Sequence, residues 1–275
     1  MKFVSKILLI ILSVPILVLC VLSINVRLQF LSSDFWIGTF EKADVYTQIS
    51  TSLSSRLLDK VVAGGGKGSD VAVLSSLISP NILKIFFEEN IKSILLYANG
   101  KSSEIVVFTP FSTDSILRGV KAEDLGNFSE KMTLNDFLKK FNITGIDEEN
   151  VQIVSKFGTW SWLFVIGSSS LLALVLVLTY LLTGTGKRLT TMGIELTLSG
   201  ICVLVVNFLA DFIVKSFTEN VAGSANVGTS LVAITAPPII QNVTQIWIWF
   251  GISSLILGVL LFFIKKPGNS IRRKG

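Results

Sequence analysis

Four apolar runs divide the chain: Ile7–Ile24, Trp160–Leu182, Leu189–Val214 and Ile246–Ile264. Each matches the roughly 20 residues that a helix needs to cross a hydrocarbon core. Between the first two, from Asn25 to Gly158, the pattern turns amphipathic. Val45, Ile49, Leu53, Leu57 and Val61 recur at every fourth position and predict one long helix, or two in succession, over Asp34–Val62. Ser79-Pro80 supplies a cap and a first-turn proline for a helix to Ala98, where Asn99-Gly100 stops it. Leu83, Phe87, Ile91, Ile94 and Leu95 mark its buried face, with Lys84, Glu88 and Lys92 as an ion-pair ladder on the other. Glu104–Thr109 reads as a strand ended by Pro110, and a second short strand is expected at Val151–Val154. Between them Asp114–Gly119 and Thr133–Phe141 read as helical, the latter opened by a capping box of Thr133 and Asp136.

The pattern as a whole predicts a mainly α membrane protein. Four transmembrane helices carry an α+β, mostly helical domain of roughly 130 residues between helices 1 and 2. The expected divisions are 1–24, 25–158, 159–183, 184–188, 189–215, 216–245, 246–264 and 265–275. In the 216–245 loop, Ala233–Ile240 is apolar but too short to span and is interrupted by Pro237 and Pro238. It is expected to pack beneath the domain. For the first run an uncleaved anchor is expected, because its apolar core exceeds a usual signal core; the competing reading is a signal peptide cleaved after Ser23.

Charge then gives the spans a direction. Lys2, Lys6, Lys187, Arg188, Lys265, Lys266, Arg272, Arg273 and Lys274 flank the even side of the spans, and no Asp or Glu accompanies them. By the positive-inside rule both termini and the Gly184–Arg188 loop are cytoplasmic, and the polar domain is extracytoplasmic. Trp160, Trp162, Trp247 and Trp249 fall at the outer ends of their spans, where an interfacial aromatic belt is expected. Small residues predict close helix packing at Gly167–Ser170 with Ala173, at Gly193, Thr197 and Gly200, and at Ser254 with Gly258.

The same distribution changes the meaning of the net charge of +5. Most of the excess is topological, the outer segment mixes signs, and no basic patch remains for nucleic acid. The chain has no histidine, the commonest general base and transition-metal ligand. Cys20 and Cys202 both lie in apolar runs, so the domain is expected to fold without disulfides, which leans toward a bacterial plasma membrane. Gly64-Gly65-Gly66-Lys67-Gly68 lacks the spacing and the Ser/Thr of a phosphate loop and reads as a linker. Asp147-Glu148-Glu149 lacks calcium-loop spacing and reads as a solvated turn. No cofactor, metal or catalytic constellation is expected.

Ionisable or strongly polar residues inside a span are candidates for function. Here they are Glu195, Asn207 and Asp211, all in the third run. Glu195 lies about 9 Å below Leu189 at 1.5 Å per residue, where a reach to Lys187 or Arg188, or protonation, is the structural reading. Asp211 is expected to form an interfacial pair with Lys215, and Asn207 to bond between helices.

The order of one span, a large outer domain and three further spans resembles the permease subunits of mechanotransmitting ABC transporters, the cell-division type included. Those permeases carry a substantial cytoplasmic segment between spans two and three that engages an ATPase, whereas this chain has only Gly184–Arg188 there. The resemblance is one of layout and assigns no residue a role. The expected function is that of a non-enzymatic envelope protein whose outer domain binds a protein, peptide or lipid, with the bilayer as its surroundings. The alternative is an accessory or permease-like subunit of a transport complex.

Overall fold

The computed structural model describes residues 2–63, 78–109, 130–140, 148–221 and 227–264. The expectations for Gly64–Gly68, Asp114–Gly119, Asp147 and the basic tail lie outside them. The elements in chain order are α1 (Lys2–Asn25), a π-helical turn (Val26–Phe30), α2 (Ser33–Lys42), α3 (Val45–Ala63), α4 (Pro80–Ala98), β1 (Val106–Thr109), β2 (Glu130–Thr133), α5 (Leu134–Lys140), α6 (Glu148–Leu182), α7 (Arg188–Val221) and α8 (Val227–Phe263). The protein is mainly helical, and four helices are long and apolar enough to cross a membrane: Val4–Phe30, Gln152–Leu182, Arg188–Asn220 and Thr229–Phe263. Two compact units result. One combines Met1–Arg27, Ser161–Ile213 and Gln241–Gly275; the other combines Leu28–Trp160 with Val214–Ile240.

The first unit is a bundle of the apolar helices. On α6 a single stripe faces inward: Ser161, Val175 and Thr179 are buried, as is Thr183 just beyond its end, and Leu172 packs with Val175 against Leu9 and Ile16 of α1, while Leu163, Ile166, Leu174, Val177 and Leu181 are exposed. Spacings of three and four residues along that stripe make the narrow seam of a left-handed helix pair. The exposed remainder is what a lipid-facing surface requires. Leu17 and Val21 of α1, Val203 of α7 and Trp247 of α8 meet in one core, with Leu172 of α6 against them. Trp247 therefore departs from the expected aromatic belt. It is 7% exposed, against 57%, 50% and 70% for Trp160, Trp162 and Trp249, because it lies one turn before Gly251 on the packing face of α8.

Small residues bring α7 and α8 into backbone contact. A Cβ on Gly200 would lie 2.7 Å from the Gly251 carbonyl oxygen, and one on Gly193 would lie 2.7 Å from that of Gly258. Ser254 Oγ donates to the Leu196 carbonyl at 2.9 Å across the same seam. The α6 group behaves differently from its expectation. Gly167 has no neighbour within 4 Å of an added Cβ, and Ser168 bonds only its own helix at Phe164. Ser169 alone of that group reaches α1, with its Oγ 3.4 Å from Cys20 Sγ.

The second unit has its own core of Phe40, Val45, Tyr46, Ile49 and Leu83, against which Trp36, Phe87 and Ile91 pack. Leu231, Ile234 and Ile239 of α8 join it. The apolar stretch around the two prolines thus packs on the domain as expected, but it is not a loop. α7 runs to Val221, and α8 starts at Val227 and continues through Pro237 and Pro238. Two prolines remove two helical hydrogen bonds, a loss that burial of the flanking apolar residues offsets.

The long amphipathic pattern resolves into α2 and α3, separated at Asp44, whose φ of 50° is left-handed. Asp44 Oδ1 accepts from Thr47 Oγ1 at 2.7 Å, which steadies that turn. The helix α4 keeps its expected limits, with Gly100 at φ 68° after its cap. The strand expected at Val151–Val154 is instead part of α6; β1 pairs antiparallel with β2, Val106 opposite Thr133 and Thr109 opposite Glu130. Half of the expected capping box forms: Asp136 N donates to Thr133 Oγ1 at 3.2 Å, while the Asp136 carboxylate accepts from the Thr133 hydroxyl at 2.8 Å.

Candidate functional site

Each unit offers one place where polar groups converge. In the second unit it is the face between α4 and β1. Asn90 and Ser93 of α4 hold the edge of β1. The Asn90 side-chain amide donates to the Phe108 carbonyl at 2.8 Å and accepts from Phe108 N at 3.0 Å, while Val106 N donates to Ser93 Oγ at 2.9 Å. Beside this join opens a groove of about 420 Å³. Leu96 and Phe108 form its apolar part, and Glu89, Lys92, Ser102 and Lys131 its polar part. Lys131 Nζ stands 6.0 Å above the Phe108 ring, and Lys92 bonds Glu89 at 3.4 Å. A groove with an aromatic floor and two ammonium groups suits an extended segment or a headgroup that carries negative charge. Glu88 and Glu89 part company here: Glu88 sits between Lys84 and Lys92, 3.8 Å from each, and Glu89 turns to the groove. The sequence carried no signal for Lys131, because β2 was not legible as a strand.

In the first unit the convergence is around Glu195. This carboxyl is wholly buried, and so are Ser13 of α1, Thr179 of α6, Thr183 just after that helix and Ser199 of α7, each exposed by 2% or less. The hydroxyls of Thr179 and Ser13 bear on the carboxyl, yet among the described residues neither Glu195 oxygen has a partner in hydrogen-bond geometry, and neither do the Thr179 and Thr183 hydroxyls. Ser13 Oγ donates to the Ile10 carbonyl at 2.8 Å and lies 3.2 Å from Ser199 Oγ. Three helices thereby contribute oxygens to one buried position.

The expected reach of Glu195 to the loop cations does not occur among the described residues. Arg188 instead donates from Nε to the Thr183 carbonyl at 3.1 Å and stacks 4.6 Å from the Tyr180 ring. Its fork thus closes the end of α6 rather than neutralising the carboxyl two turns further in. Asn207 is half-buried and its Oδ1 has no hydrogen-bond partner. Asp211 is half-buried and engaged. The three intramembrane candidates do not form one site: they follow one continuous helix, with Asn207 about 18 Å and Asp211 about 24 Å from Glu195 along its axis. No group of His, Cys, Asp and Glu able to hold a metal occurs among the described residues.

No protein family, curated protein or solved structure matches this chain. What the fold supports is the class: four helices long and apolar enough to cross a membrane fit a multi-pass membrane protein.

Proposed function

We propose that the chain is a non-enzymatic, multi-pass protein of a bacterial plasma membrane. Both termini are cytoplasmic, and the polar unit is extracytoplasmic and docks a protein, peptide or lipid partner. The groove between α4 and β1 carries this reading, because it joins an aromatic floor to exposed cations on a unit with its own core. The one-sided placement of basic residues supports the orientation. The non-enzymatic part rests on the sequence, which has no histidine and no recognisable nucleophile–base or phosphate-loop pattern.

The test is co-purification of the full chain in mild detergent, followed by mass spectrometry. A partner recovered with the native protein and lost from a Lys92→Glu, Lys131→Glu double variant supports the docking surface. Equal recovery with both proteins removes it. A cysteine in place of Ser103 labels from outside and one in place of Ser270 does not; the reverse pattern defeats the orientation. The second reading, a permease-like or accessory transport subunit, is favoured by one observation, the buried carboxyl at Glu195. Stoichiometric recovery of an ATPase selects it.

A further inference from the structure

The oxygens around Glu195 contain too many acceptors for the donors present. The proton of Ser13 is committed to the Ile10 carbonyl, so in the contact with Ser199 it is Ser199 that donates. The remaining lone pair of Ser13, the Thr179 oxygen and both carboxylate oxygens outnumber the donors left among the described residues, which are the Thr179 and Thr183 hydroxyl protons. A carboxylate left in that state costs several kcal/mol, and among the described residues no element packed around it supplies a countercharge. On α1 the nearest cation is Lys6, two turns from Ser13; on α6 the nearest titratable group is Tyr180, held by Arg188; Lys187 and Arg188 stand at the start of α7, about two turns before Glu195. α8 has no titratable residue between Gly251 and Phe263. None of these groups is paired with Glu195.

The geometry points to a binding site for a monovalent alkali cation, which exchanges with a proton on Glu195 and is completed by the oxygens of Ser13 and Thr179. The donor set is all oxygen, which selects hard cations over zinc, copper or iron. A single carboxylate selects one positive charge: a monovalent ion leaves the position neutral, whereas a divalent ion leaves a net charge buried among apolar helices. The site is independent of the docking groove, and the two proposals fail separately.

Carbodiimide labelling of the full chain in detergent, mapped by peptide mass spectrometry, tests it, because the reagent attacks a protonated carboxyl in an apolar setting. The expected result is modification of Glu195 in choline chloride that slows severalfold when NaCl or KCl replaces it. Thr179→Val keeps the labelling but weakens the salt protection, and this variant carries the test if Glu195→Gln does not fold. Labelling that proceeds equally in all three salts, or protection unchanged in Thr179→Val, overturns the site. Absence of Glu195 labelling in every buffer overturns it too.

Discussion

Gly193 of α7 and Gly258 of α8 meet backbone to backbone: a Cβ on Gly193 would lie 2.7 Å from the Gly258 carbonyl oxygen, and one on Gly258 2.8 Å from that of Gly193. The obstacle on both sides is main chain, so no rotamer change relieves it. Gly200 and Gly251 repeat the arrangement seven residues along each helix in opposite directions. Gly193→Ala or Gly258→Ala is expected to push α7 from α8 and cost about 1–3 kcal/mol. Gly167→Ala, whose added Cβ has open space, is expected to be neutral or slightly stabilising. Thermal unfolding of the three variants in one detergent separates these outcomes, and a destabilised Gly167→Ala with native-like Gly193→Ala reverses the packing argument.

Trp247 and Trp249 are two residues apart and do opposite things. The first fills the core between Leu17, Val21 and Val203; the second is 70% exposed. Truncating Trp247 to Ala leaves a cavity and is expected to cost about 3–5 kcal/mol, whereas Trp249→Ala is expected to cost far less. Fluorescence gives an independent check. Loss of Trp249 removes a component quenched from the lipid or detergent phase, and loss of Trp247 does not.

That pair also shows where sequence reading stops. The four spans, the limits of α4 and the helix cap at Thr133 were legible because each depends on local chemistry: hydropathy over a window, Ser-Pro and Asn-Gly at helix ends, and a hydroxyl three residues before an acid. Trp247 was assigned by depth alone. The seam Trp247, Gly251, Ser254 and Gly258 holds the missing information, since its spacing of four, three and four puts the ring on the packing face. β2 was not legible, because Glu130-Lys-Met-Thr133 has neither β-branched density nor apolar alternation and becomes a strand only by pairing with β1. Val151–Val154 shows the converse: β-branched residues were absorbed into a helix that continues for many turns. Glu195 was visible as an intramembrane carboxyl, but its companions on α1 and α6 are brought near only by the bundle.

Tyr46 is 5% exposed and its hydroxyl has no hydrogen-bond partner among the described residues. Burial, reinforced by the negative charges of Glu88 and Glu41, pushes its phenol up from 10.0 to about 12. The folded protein therefore holds the proton more tightly than the unfolded chain. Its contribution is complete below pH 10.0 and is lost as the pH rises toward about 12. Tyr46→Phe is expected to remove the unsatisfied hydroxyl without loss of stability at neutral pH. It is also expected to flatten the alkaline fall and to delete the phenolate step at about 12. Ultraviolet titration of phenolate and unfolding at neutral and alkaline pH measure both. A variant that keeps the late phenolate step places that step on Tyr97 or Tyr180 and refutes the assignment.

Asn90 is the residue on which the join of α4 to the sheet depends. Its amide takes the place of a neighbouring strand, donating to the Phe108 carbonyl and accepting from Phe108 N, and its Nδ2 also donates to Phe86 on its own helix at 2.7 Å. No other side chain type supplies a donor and an acceptor side by side at that reach except glutamine, which is one methylene too long. Asn90→Ala leaves both Phe108 backbone groups without their partner and is expected to cost about 1–3 kcal/mol. Asn90→Asp keeps the acceptor but faces the Phe108 carbonyl with a second oxygen, so it is expected to cost at least as much at neutral pH and to recover when the carboxyl is protonated in acid. Hydrogen exchange at Phe108 reads the result directly: its amide is expected to lose protection in Asn90→Ala and to regain it at low pH only in Asn90→Asp. Equal protection of that amide in the native protein and in Asn90→Ala would show that the amide bracket does not hold the strand.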